Sequence, residues 1–354
     1  MENLELSPSF WNAKRVLITG HTGFKGGWIS IWLKRLGADV AGYALPAATE
    51  PNFFDAAGVS DSVQSEVGDI RDLEHLSGFV AKFRPEIIIH MAAQSLVRRS
   101  YTDPIETFSS NVLGTVNILE AARQCDDVRA VVNVTTDKCY ENLERQAGYR
   151  EDEPLGGHDP YSSSKGCAEL VTSSYRRSFS LAVASARAGN VIGGGDWAED
   201  RLIPDMVRCL IAGEAATIRN PASTRPWQHV LEPLHGYLVL AECLYGNSSE
   251  FAEAWNFGPE DDDAKPVEWL ADRLCELWGS SASWSDAESG DQPHEAGFLR
   301  LNCDKAKERL GWQPKMDLDQ ALCWTVDWYK CFQSGGDVRA LSEKQIASFE
   351  AGSS

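Results

Sequence analysis

The sequence has no cysteine pair at the spacing of a metal site and no apolar run as long as a membrane span. Its nine cysteines are scattered along 354 residues, without a CxxC motif or a Cys/His cluster. We therefore expect no metal site, and free thiols of the kind found in a reducing cytoplasm. The first residues, MENLELSPSFWNAKR, also lack the basic and apolar regions of a signal peptide. These absences predict a cytoplasmic protein without a membrane span.

Basic residues are scarce as well. The chain has 33 Lys and Arg against 52 Asp and Glu, which gives a formal net charge of −19 at pH 7. Nucleic acids and anionic membranes bind basic surfaces, so we expect neither as a partner. A phosphorylated small molecule is not excluded, because a few arginines that converge in one cleft bind a diphosphate whatever the net charge.

The first half of the chain alternates apolar, β-branched runs with segments of helical spacing. The runs are KRVLITG, DVAGYAL, IIIHMAA and AVVNVTT. After the first run, Trp28, Ile31, Trp32 and Leu36 share one helix face, and Gly37 ends the helix. This alternation predicts an α/β fold, with a Rossmann-type doubly wound parallel sheet and a smaller C-terminal α/β substrate domain.

Three glycines, Gly20, Gly23 and Gly26, lie between the first predicted strand and its helix. Glycines there allow a tight turn and a close approach of the backbone to a pyrophosphate, which then sits on the helix N-terminus. The spacing predicts that the chain binds a dinucleotide. The acidic residue expected about 20 positions later is missing, because GYALPAATE has none before Glu50 and no arginine for a 2′-phosphate. The ribose contact therefore stays open.

Two further motifs carry side chains suited to acid–base chemistry. TTDKCYEN places Asp137 beside Lys138 where the fourth predicted strand ends, which a solvated turn would also explain. In DPYSSSKGCAEL, Tyr161 and Lys165 are at i and i+4 of a helix that Asp159 caps. A fixed ammonium lowers the pKa of a neighbouring phenol, which can then remove a proton from a sugar hydroxyl. An exposed Tyr and Lys on a surface helix is the alternative; the glycine turn, the helix and the threonines together favour catalysis.

Taken together, these motifs resemble the extended short-chain dehydrogenases/reductases that act on nucleotide sugars. Within that group, longer strings resemble the CDP-D-glucose 4,6-dehydratase family, and they cover the chain from about Phe10 to Trp328. These strings are VLITGHTGFKGGW, GYALPAATEPNFF, TTDKCYEN, GGGDWAEDRLIPD, RPWQHVLEPLHGYL and HEAGFLRLNCDKAKERLGW. The resemblance implies a lyase that forms CDP-4-dehydro-6-deoxy-D-glucose and water from CDP-D-glucose. It implies oxidation at C4, elimination across C5–C6 and return of the hydrogen to C6, with tightly bound NAD.

The resemblance also implies roles for the motif residues. Thr136, Tyr161 and Lys165 match the dehydrogenase triad, and Asp137 is the acid that protonates the leaving C6 hydroxyl. Dehydratases of this group usually carry Asp-Glu after the threonine; Asp-Lys departs from that pattern and matches the CDP-glucose subgroup. Lys138 is left with two roles: it removes the C5 proton, or it stabilises enolate charge while another group takes the proton.

Binding residues are predicted from the glycine turn, the strand ends and the resemblance. The predicted NAD contacts are Gly20, Thr22, Gly23, Phe24, Lys25, Gly26, Asp69, Ile70, Ala92, Ala93, Gln94, Asn111, Tyr161, Lys165 and Arg187. The predicted substrate contacts are Gln94, Ser95, Arg99, Asn190, Arg201, Arg219, Arg225 and Trp227. Several have a plainer explanation: Lys25 pointing into solvent, Asp69 as a helix cap, Arg219 as a surface charge and Trp227 as core packing.

The predicted domains follow from these assignments. Residues 1–187 form the NAD-binding Rossmann domain, to which part of 228–257 returns; residues 188–345 bind the nucleotide sugar, and 346–354 form a tail. The family pairs helices near 105–125 and 160–178 in a dimer bundle, so we expect a homodimer or homotetramer.

Two other functions compete with this prediction. One is another nucleotide-sugar enzyme, either a dehydratase for dTDP- or GDP-sugars or a 4-epimerase, although an epimerase has no need of the acid–base pair at 137 and 138. The other is a non-catalytic NAD-binding sensor, which has no need of the Thr136, Tyr161 and Lys165 set.

Overall fold

The computed structural model describes residues 6–279, 282–287 and 298–352. Parts of the sequence predictions lie outside these ranges: residues 1–5 of the predicted Rossmann domain, residues 280–281 and 288–297 of the predicted substrate domain, which include the start of the string HEAGFLRL, and residues 353–354 of the expected tail.

Twelve strands form three sheets in the described part of the chain. The strands are β1 (Arg15–Thr19), β2 (Asp39–Ala44), β3 (Gln64–Val67), β4 (Ile87–His90), β5 (Ala130–Val134), β6 (Val183–Ala188), β7 (Asn190–Ile192), β8 (Ala216–Ile218), β9 (Thr224–His229), β10 (Ala254–Phe257), β11 (Ala264–Pro266) and β12 (Trp284–Asp286). Seven of them make a parallel sheet in the order β10-β6-β5-β4-β1-β2-β3. The chain order reverses between β1 and β4, as in a doubly wound sheet, and the predicted fold class is confirmed.

The described part of the chain forms fifteen α-helices; some cover the two faces of this sheet, and others pack against the smaller sheets. They are α1 (Pro8–Trp11), α2 (Phe24–Arg35), α3 (Phe53–Ala56), α4 (Leu73–Phe83), α5 (Val97–Thr102), α6 (Pro104–Phe108), α7 (Gly114–Arg123), α8 (Pro160–Phe179), α9 (Leu202–Ala212), α10 (Leu231–Gly246), α11 (Ser248–Phe251), α12 (Val267–Trp278), α13 (Asp304–Leu310), α14 (Leu318–Gln333) and α15 (Val338–Glu350). A π-helical turn, Ser109–Leu113, joins α6 to α7.

The two faces of the sheet bury separate clusters of side chains. Alternate residues of a strand point to opposite faces. In β1, Val16 and Ile18 therefore pack in the cluster that contains residues of α2 and α10, while Leu17 packs in the cluster formed with α4 and α7. Both faces are apolar, which explains why the strands read as continuous hydrophobic runs.

The smaller sheets belong to the second half of the chain. Their orders are β11-β9-β7 and β12-β8. The segment ATIRNPASTRPWQHV contains β8 and all of β9, although its prolines and small polar residues are typical of turns. β10 adds to the large sheet beside β6. The division of the chain at residue 187 stays a prediction.

The expected tail from residue 346 is wrong. Helix α15 continues to Glu350, and Ile346 and Phe349 are buried. Glu350 Oε1 accepts a hydrogen bond of 2.8 Å from the Trp32 indole nitrogen, and Arg35 pairs with the same carboxylate. The apolar residues of α15 recur at helical spacing, so the helix packs on α2 in spite of the glycines on either side of it.

Candidate active site

A cleft of about 1900 Å³ runs along the carboxyl edge of the large sheet. The residues that follow β1, β4, β5 and β6 meet there, as expected for ligand sites in parallel sheets. The opposite wall comes from α9 and from the segments around β8 and β9. A cleft of this size accommodates a dinucleotide together with a second nucleotide.

The glycine turn forms one end of the cleft. Gly20 has a φ of +79°, and a Cβ there would lie 2.8 Å from the Ala92 nitrogen. A Cβ at Gly26 would lie 2.1 Å from the Gly20 oxygen, so both positions need glycine. Gly23 caps α2, whose first N–H groups have no partner within the helix. The turn therefore fits the pyrophosphate of a dinucleotide.

Most of the predicted NAD contacts line the cleft, but Asn111 and Arg187 do not. Asn111 is buried: its side chain accepts from the Gln94 nitrogen at 2.9 Å and donates to the Gln94 oxygen and to Ser164. Arg187 is ion-paired with buried Glu169. Protein groups occupy both side chains, which corrects their assignment as NAD contacts. Those that do line the cleft are Gly20, Thr22, Gly23, Phe24, Lys25, Gly26, Asp69, Ile70, Ala92, Ala93, Gln94, Tyr161 and Lys165.

Asp69 is not free to cap a helix. Its carboxylate accepts from the Arg71 backbone at 2.9 Å and from the Arg71 guanidinium, which lowers its pKa. The cap of α4 is Asp72, which accepts from the His75 nitrogen. Asp69 and Ile70 both line the cleft, and their contact with adenine stays a prediction.

The segment after β5 is a buried turn. Asp137 is 3 % exposed, which rules out the solvated-turn explanation. Thr136 Oγ1 donates to Asp137 Oδ1 at 2.9 Å and accepts from the Lys138 nitrogen at 3.3 Å. A Cβ at Gly189 would lie 2.6 Å from Asp137 Oδ2, so glycine leaves room for the carboxylate. Lys138 is half-buried and lines the cleft.

Tyr161 and Lys165 lie on the buried face of α8, across from this turn. Asp159 caps the helix through the Ser162 nitrogen, as predicted. Lys165 Nζ donates to the Val134 oxygen at 3.3 Å, and burial lowers its pKa to about 8. Burial raises the pKa of Tyr161 to about 12, against the opposing effects of Thr136 and Arg201. The expected lowering is therefore wrong here: burial dominates, and the ammonium points to a strand carbonyl.

Two cationic side chains, Lys25 and Arg201, line the cleft near the catalytic residues. Burial, followed by the charges of Arg201 and Lys165, lowers the pKa of Lys25 to about 8. Arg201 pairs with Asp196 at 2.8 Å and donates to Ser95 Oγ at 3.0 Å. Lys25 lines the cleft, so the alternative of a side chain in bulk solvent does not hold.

The predicted substrate residues line both sides of the cleft: some follow β4 and β6, and the others belong to the opposite wall. Arg219 pairs with Asp200 at 3.1 Å, and Arg99 pairs with Glu106 at 2.6 Å. Asn190 donates to the Pro226 oxygen, and Trp227 is buried but reaches the cleft surface. All eight predicted residues line the cleft: Gln94, Ser95, Arg99, Asn190, Arg201, Arg219, Arg225 and Trp227.

Sequence reasoning missed Glu169 and Asp196. Glu169 follows Lys165 by four residues, as Lys165 follows Tyr161, so the helical period was the available signal. Asp196 lies in GGGDWAED, where nothing local indicates that it pairs with Arg201. Among the residues that the structure describes, no group of His, Cys, Asp and Glu is arranged to hold a metal ion. No helix in the same part of the chain has the length and apolar character to cross a membrane.

Comparisons with known proteins show the family to which the chain belongs. The model of the GDP-mannose 4,6-dehydratase family matches residues 17–252. A CDP-glucose 4,6-dehydratase of Salmonella typhimurium is 52% identical over 353 residues, covering 97% of this chain and 98% of the relative. Among solved structures, the dTDP-glucose 4,6-dehydratase of Streptomyces venezuelae with NAD bound is 26% identical, with a TM-score of 0.77, over 91% of this chain and 99% of that one. The UDP-glucose 4-epimerase of Thermus thermophilus, in complex with NAD, is also 26% identical at a TM-score of 0.77, over 89% and 99% of the two chains.

Proposed function

Because this chain belongs to the GDP-mannose 4,6-dehydratase family, we propose that it converts CDP-D-glucose to CDP-4-dehydro-6-deoxy-D-glucose and water. It is an NAD-dependent nucleotide-sugar 4,6-dehydratase. The observation that carries the proposal is the turn of buried Thr136 and Asp137 and half-buried Lys138, which lies beside Tyr161 and Lys165 at the cleft. A dehydratase needs an acid and a base beside the oxidising site, and this turn supplies candidates for both.

NAD fits the glycine turn at Gly20, Gly23 and Gly26, where a Cβ on Gly20 or Gly26 would clash with the backbone. Bound there, NAD would supply the redox chemistry, that is, acceptance of a hydride from C4 and its return to C6. The chain's own contribution is to hold the sugar and to move protons at three of its atoms: the C4 oxygen, C5 and the C6 oxygen.

Tyr161 acts on the C4 hydroxyl. Burial keeps its phenol protonated, with a pKa of about 12, so the phenolate needs a stabilising charge before it can act as a base. Lys165 lies one helical turn away on the same face of α8; its ammonium donates to the Val134 oxygen in this structure, and in the proposed reaction it turns to the phenolate. Thr136 forms a hydrogen bond with Tyr161 and lowers the pKa of its phenol, which also favours the phenolate.

Asp137 supplies the proton for the leaving group. Its Oδ1 accepts from Thr136, whereas its Oδ2 faces Gly189 at the cleft. In the elimination, the C5 proton passes to a base, the C6–O bond breaks, and the Asp137 proton leaves with that oxygen as water. Lys138 either takes the C5 proton or stabilises the enolate charge; its half-buried position at the cleft supports both roles.

The arginines of the opposite wall bind the diphosphate. Arg225 is favoured, with Arg201 and Arg219 beside it, because a guanidinium binds phosphate oxygens bidentately. The cytidine base is proposed from the Salmonella typhimurium relative alone. A 4-epimerase, as in the Thermus thermophilus neighbour, has no need of an acid at position 137.

A homodimer or homotetramer remains part of the proposal. Large apolar side chains are exposed around the helices predicted to pair: Ile105 is 81 % exposed and Leu170 is 60 % exposed. Burying such side chains against a second copy is favourable. A cytoplasmic location is proposed from the free cysteines.

The test is a panel of CDP-, dTDP-, UDP- and GDP-glucose, incubated with the purified protein and NAD and followed by mass spectrometry. We expect CDP-glucose to lose one water with the highest kcat/KM. The Tyr161→Phe variant serves as the matched control for contaminating activity. Loss of water from another nucleotide-glucose alone contradicts the CDP assignment, and epimerisation without any loss of water contradicts the dehydratase.

A further inference from the structure

A buried ion pair lies behind the catalytic turn. Glu169 and Arg187 are each 3 % exposed. The Arg187 guanidinium donates to both carboxylate oxygens of Glu169, from Nε at 3.0 Å and from Nη2 at 2.9 Å. Neither side chain lines the cleft, so the pair is not a ligand contact in this geometry.

Glu169 connects the two catalytic segments. It lies on α8, one turn after Lys165 and two turns after Tyr161. The same carboxylate accepts a hydrogen bond of 2.5 Å from Thr135 Oγ1. Thr135 directly precedes Thr136 and Asp137, so one carboxylate holds the start of the catalytic turn and the helix that carries the phenol.

Arg187 connects the pair to the rest of the fold. Its Nη1 donates to the Tyr140 hydroxyl at 2.7 Å and to the Glu151 backbone oxygen at 3.1 Å. Tyr140 lies just after the catalytic turn, and its hydroxyl donates to Asn256 of β10. The turn is therefore fixed on both sides, through Thr135 before it and Tyr140 after it.

Such a pair is costly as a purely structural element. Burying two charges loses hydration, and apolar residues of similar volume often serve stability equally well. The two charges therefore indicate a role other than stability. Their position between α8 and the catalytic turn points to a role in positioning that turn.

We propose that Glu169 is a positioning residue for the dehydration: through Thr135 it orients the catalytic turn, and through its charge it keeps Lys165 in the ammonium form. The inference rests on the proposed function.

The charge effect depends on which groups face Lys165. From its own helix this is Glu169; from the other elements they are Cys139 after β5, Lys25 on α2 and His90 on β4. Burial keeps His90 and Cys139 neutral, because it lowers the pKa of the histidine and raises that of the thiol. Glu169 is then the nearby anion that favours the ammonium, against burial and the cationic Lys25.

The direction of the expected effect follows from these charges. With Glu169 in place, the pKa of Lys165 is already lowered to about 8 by burial. In Glu169→Gln the supporting charge is lost, so the pKa of Lys165 falls further. The ammonium, and with it the support for the Tyr161 phenolate, is then lost at a lower pH.

The first experiment is the pH dependence of kcat/KM for dehydration of CDP-glucose by the wild-type enzyme and by Glu169→Gln. We expect the alkaline limb of the variant to move down by about one pH unit or more, with kcat at least about tenfold lower at pH 8. Glu120→Gln is the matched control: Glu120 accepts from Tyr175 of the same helix but lies away from the cleft. We expect the alkaline limb of the pH profile of Glu120→Gln to stay at the wild-type position.

The second experiment separates orientation from charge. Thr135→Val removes the hydroxyl and leaves the ion pair, so we expect kcat about tenfold lower with little change in KM and an unshifted alkaline limb. Thr135→Ser keeps the hydroxyl and restores kcat. Wild-type kcat in a folded Thr135→Val overturns the orienting role.

A wild-type alkaline limb in folded Glu169→Gln overturns the charge role. If that variant does not fold, Glu169→Gln/Arg187→Met removes the anion without leaving an unpaired buried guanidinium, and the same shift of the limb is expected. A wild-type enzyme that dehydrates no nucleotide-glucose contradicts the proposed function itself, whereas active variants with unchanged profiles contradict only the positioning role.

Discussion

The two walls of the cleft hold their polar side chains in different ways. At the catalytic end, Asp137, Tyr161 and Lys165 are all buried, and neighbouring protein groups fix the turn and the helix that carry them. On the substrate wall, the side chains of Arg201 and Arg219 are 35% and 32% exposed and pair with Asp196 and Asp200.

This difference indicates that the catalytic side chains are preorganised, whereas the arginines change their partners when the substrate binds. The catalytic groups keep their positions because packing and hydrogen bonds hold them before the sugar arrives. The arginines are paired with carboxylates. In the proposed binding mode the diphosphate replaces these carboxylates, so part of the binding free energy is spent on breaking ion pairs. Changes at the first wall should therefore affect kcat, and changes at the second should affect KM.

The largest expected effect is that of Tyr161→Phe. Removing the phenol oxygen takes away the group that accepts the C4 proton, so turnover should fall by about 10³-fold or more. NAD should stay bound, because the glycine turn is untouched. The measurements are kcat by mass spectrometry and NAD content by absorbance of the purified variant. Loss of NAD with activity that returns on adding NAD would falsify the assignment.

Lys138→Ala decides between the two roles of the lysine. If Lys138 is the C5 base, both elimination and exchange of the C5 proton with solvent are lost. If it stabilises the enolate, exchange continues about 10²-fold more slowly, as after loss of an oxyanion donor. Deuterium uptake at C5 in heavy water, in a single turnover, gives the answer. We expect loss of exchange, provided that C4 oxidation survives in the variant.

Arg219→Ala tests whether a change on the substrate wall affects KM and leaves kcat unchanged. We expect KM for CDP-glucose to rise by about tenfold while kcat changes little, since the lost contact is to the diphosphate and not to the reacting carbons. Asp200→Asn is the paired variant: it frees Arg219 from its ion pair and should leave KM unchanged or lower. A fall in kcat with constant KM in Arg219→Ala would contradict the division between the walls.

The smallest expected effect concerns a buried carboxyl away from the cleft. Burial raises the pKa of Glu232 from 4.5 to about 8. Between these values the folded state holds a proton that the unfolded state releases, so stability falls as pH rises from 4.5 towards 8. Its Oε1 accepts from the Lys315 and Met316 nitrogens, which the amide of Glu232→Gln also does.

For Glu232→Gln we therefore expect Tm to match the wild type at acid pH and to exceed it by about 2–4 °C at pH 8, with kcat unchanged. Melting curves at the two pH values measure this. Glu343→Gln, at an exposed ion pair with Arg339, is the control that should show no such difference. An identical pH dependence of Tm in Glu232→Gln and wild type would rule out the buried carboxyl as the source.

Local patterns explain what the sequence could predict. β1, the glycine turn and the capped helix α8 follow from apolar runs, positive φ and an Asp-Pro start, all of which act within a few residues. The fold class followed from their alternation, and the cleft residues from their place after the strands.

The orientation of side chains and their hydrogen-bond partners could not be predicted from local sequence patterns. Asn111 and Arg187 lie in the right segments, but each turns to a buried partner that comes from a distant part of the chain. The pKa of Tyr161 depends on the depth of burial, which a Y-x-x-x-K motif does not encode. Helix α15 was missed because the glycines around it outweighed its helical spacing.

The central claim is that the buried Asp137 protonates the leaving hydroxyl, and Asp137→Asn tests it most directly. In a single turnover with CDP-glucose, C4 oxidation and loss of water are followed together, by nicotinamide absorbance and by mass. We predict that the reduced-nicotinamide absorbance rises and persists while loss of water slows by about 10²-fold or more, because an amide cannot donate that proton. Loss of water at the wild-type rate, with no lasting absorbance, would contradict the claim.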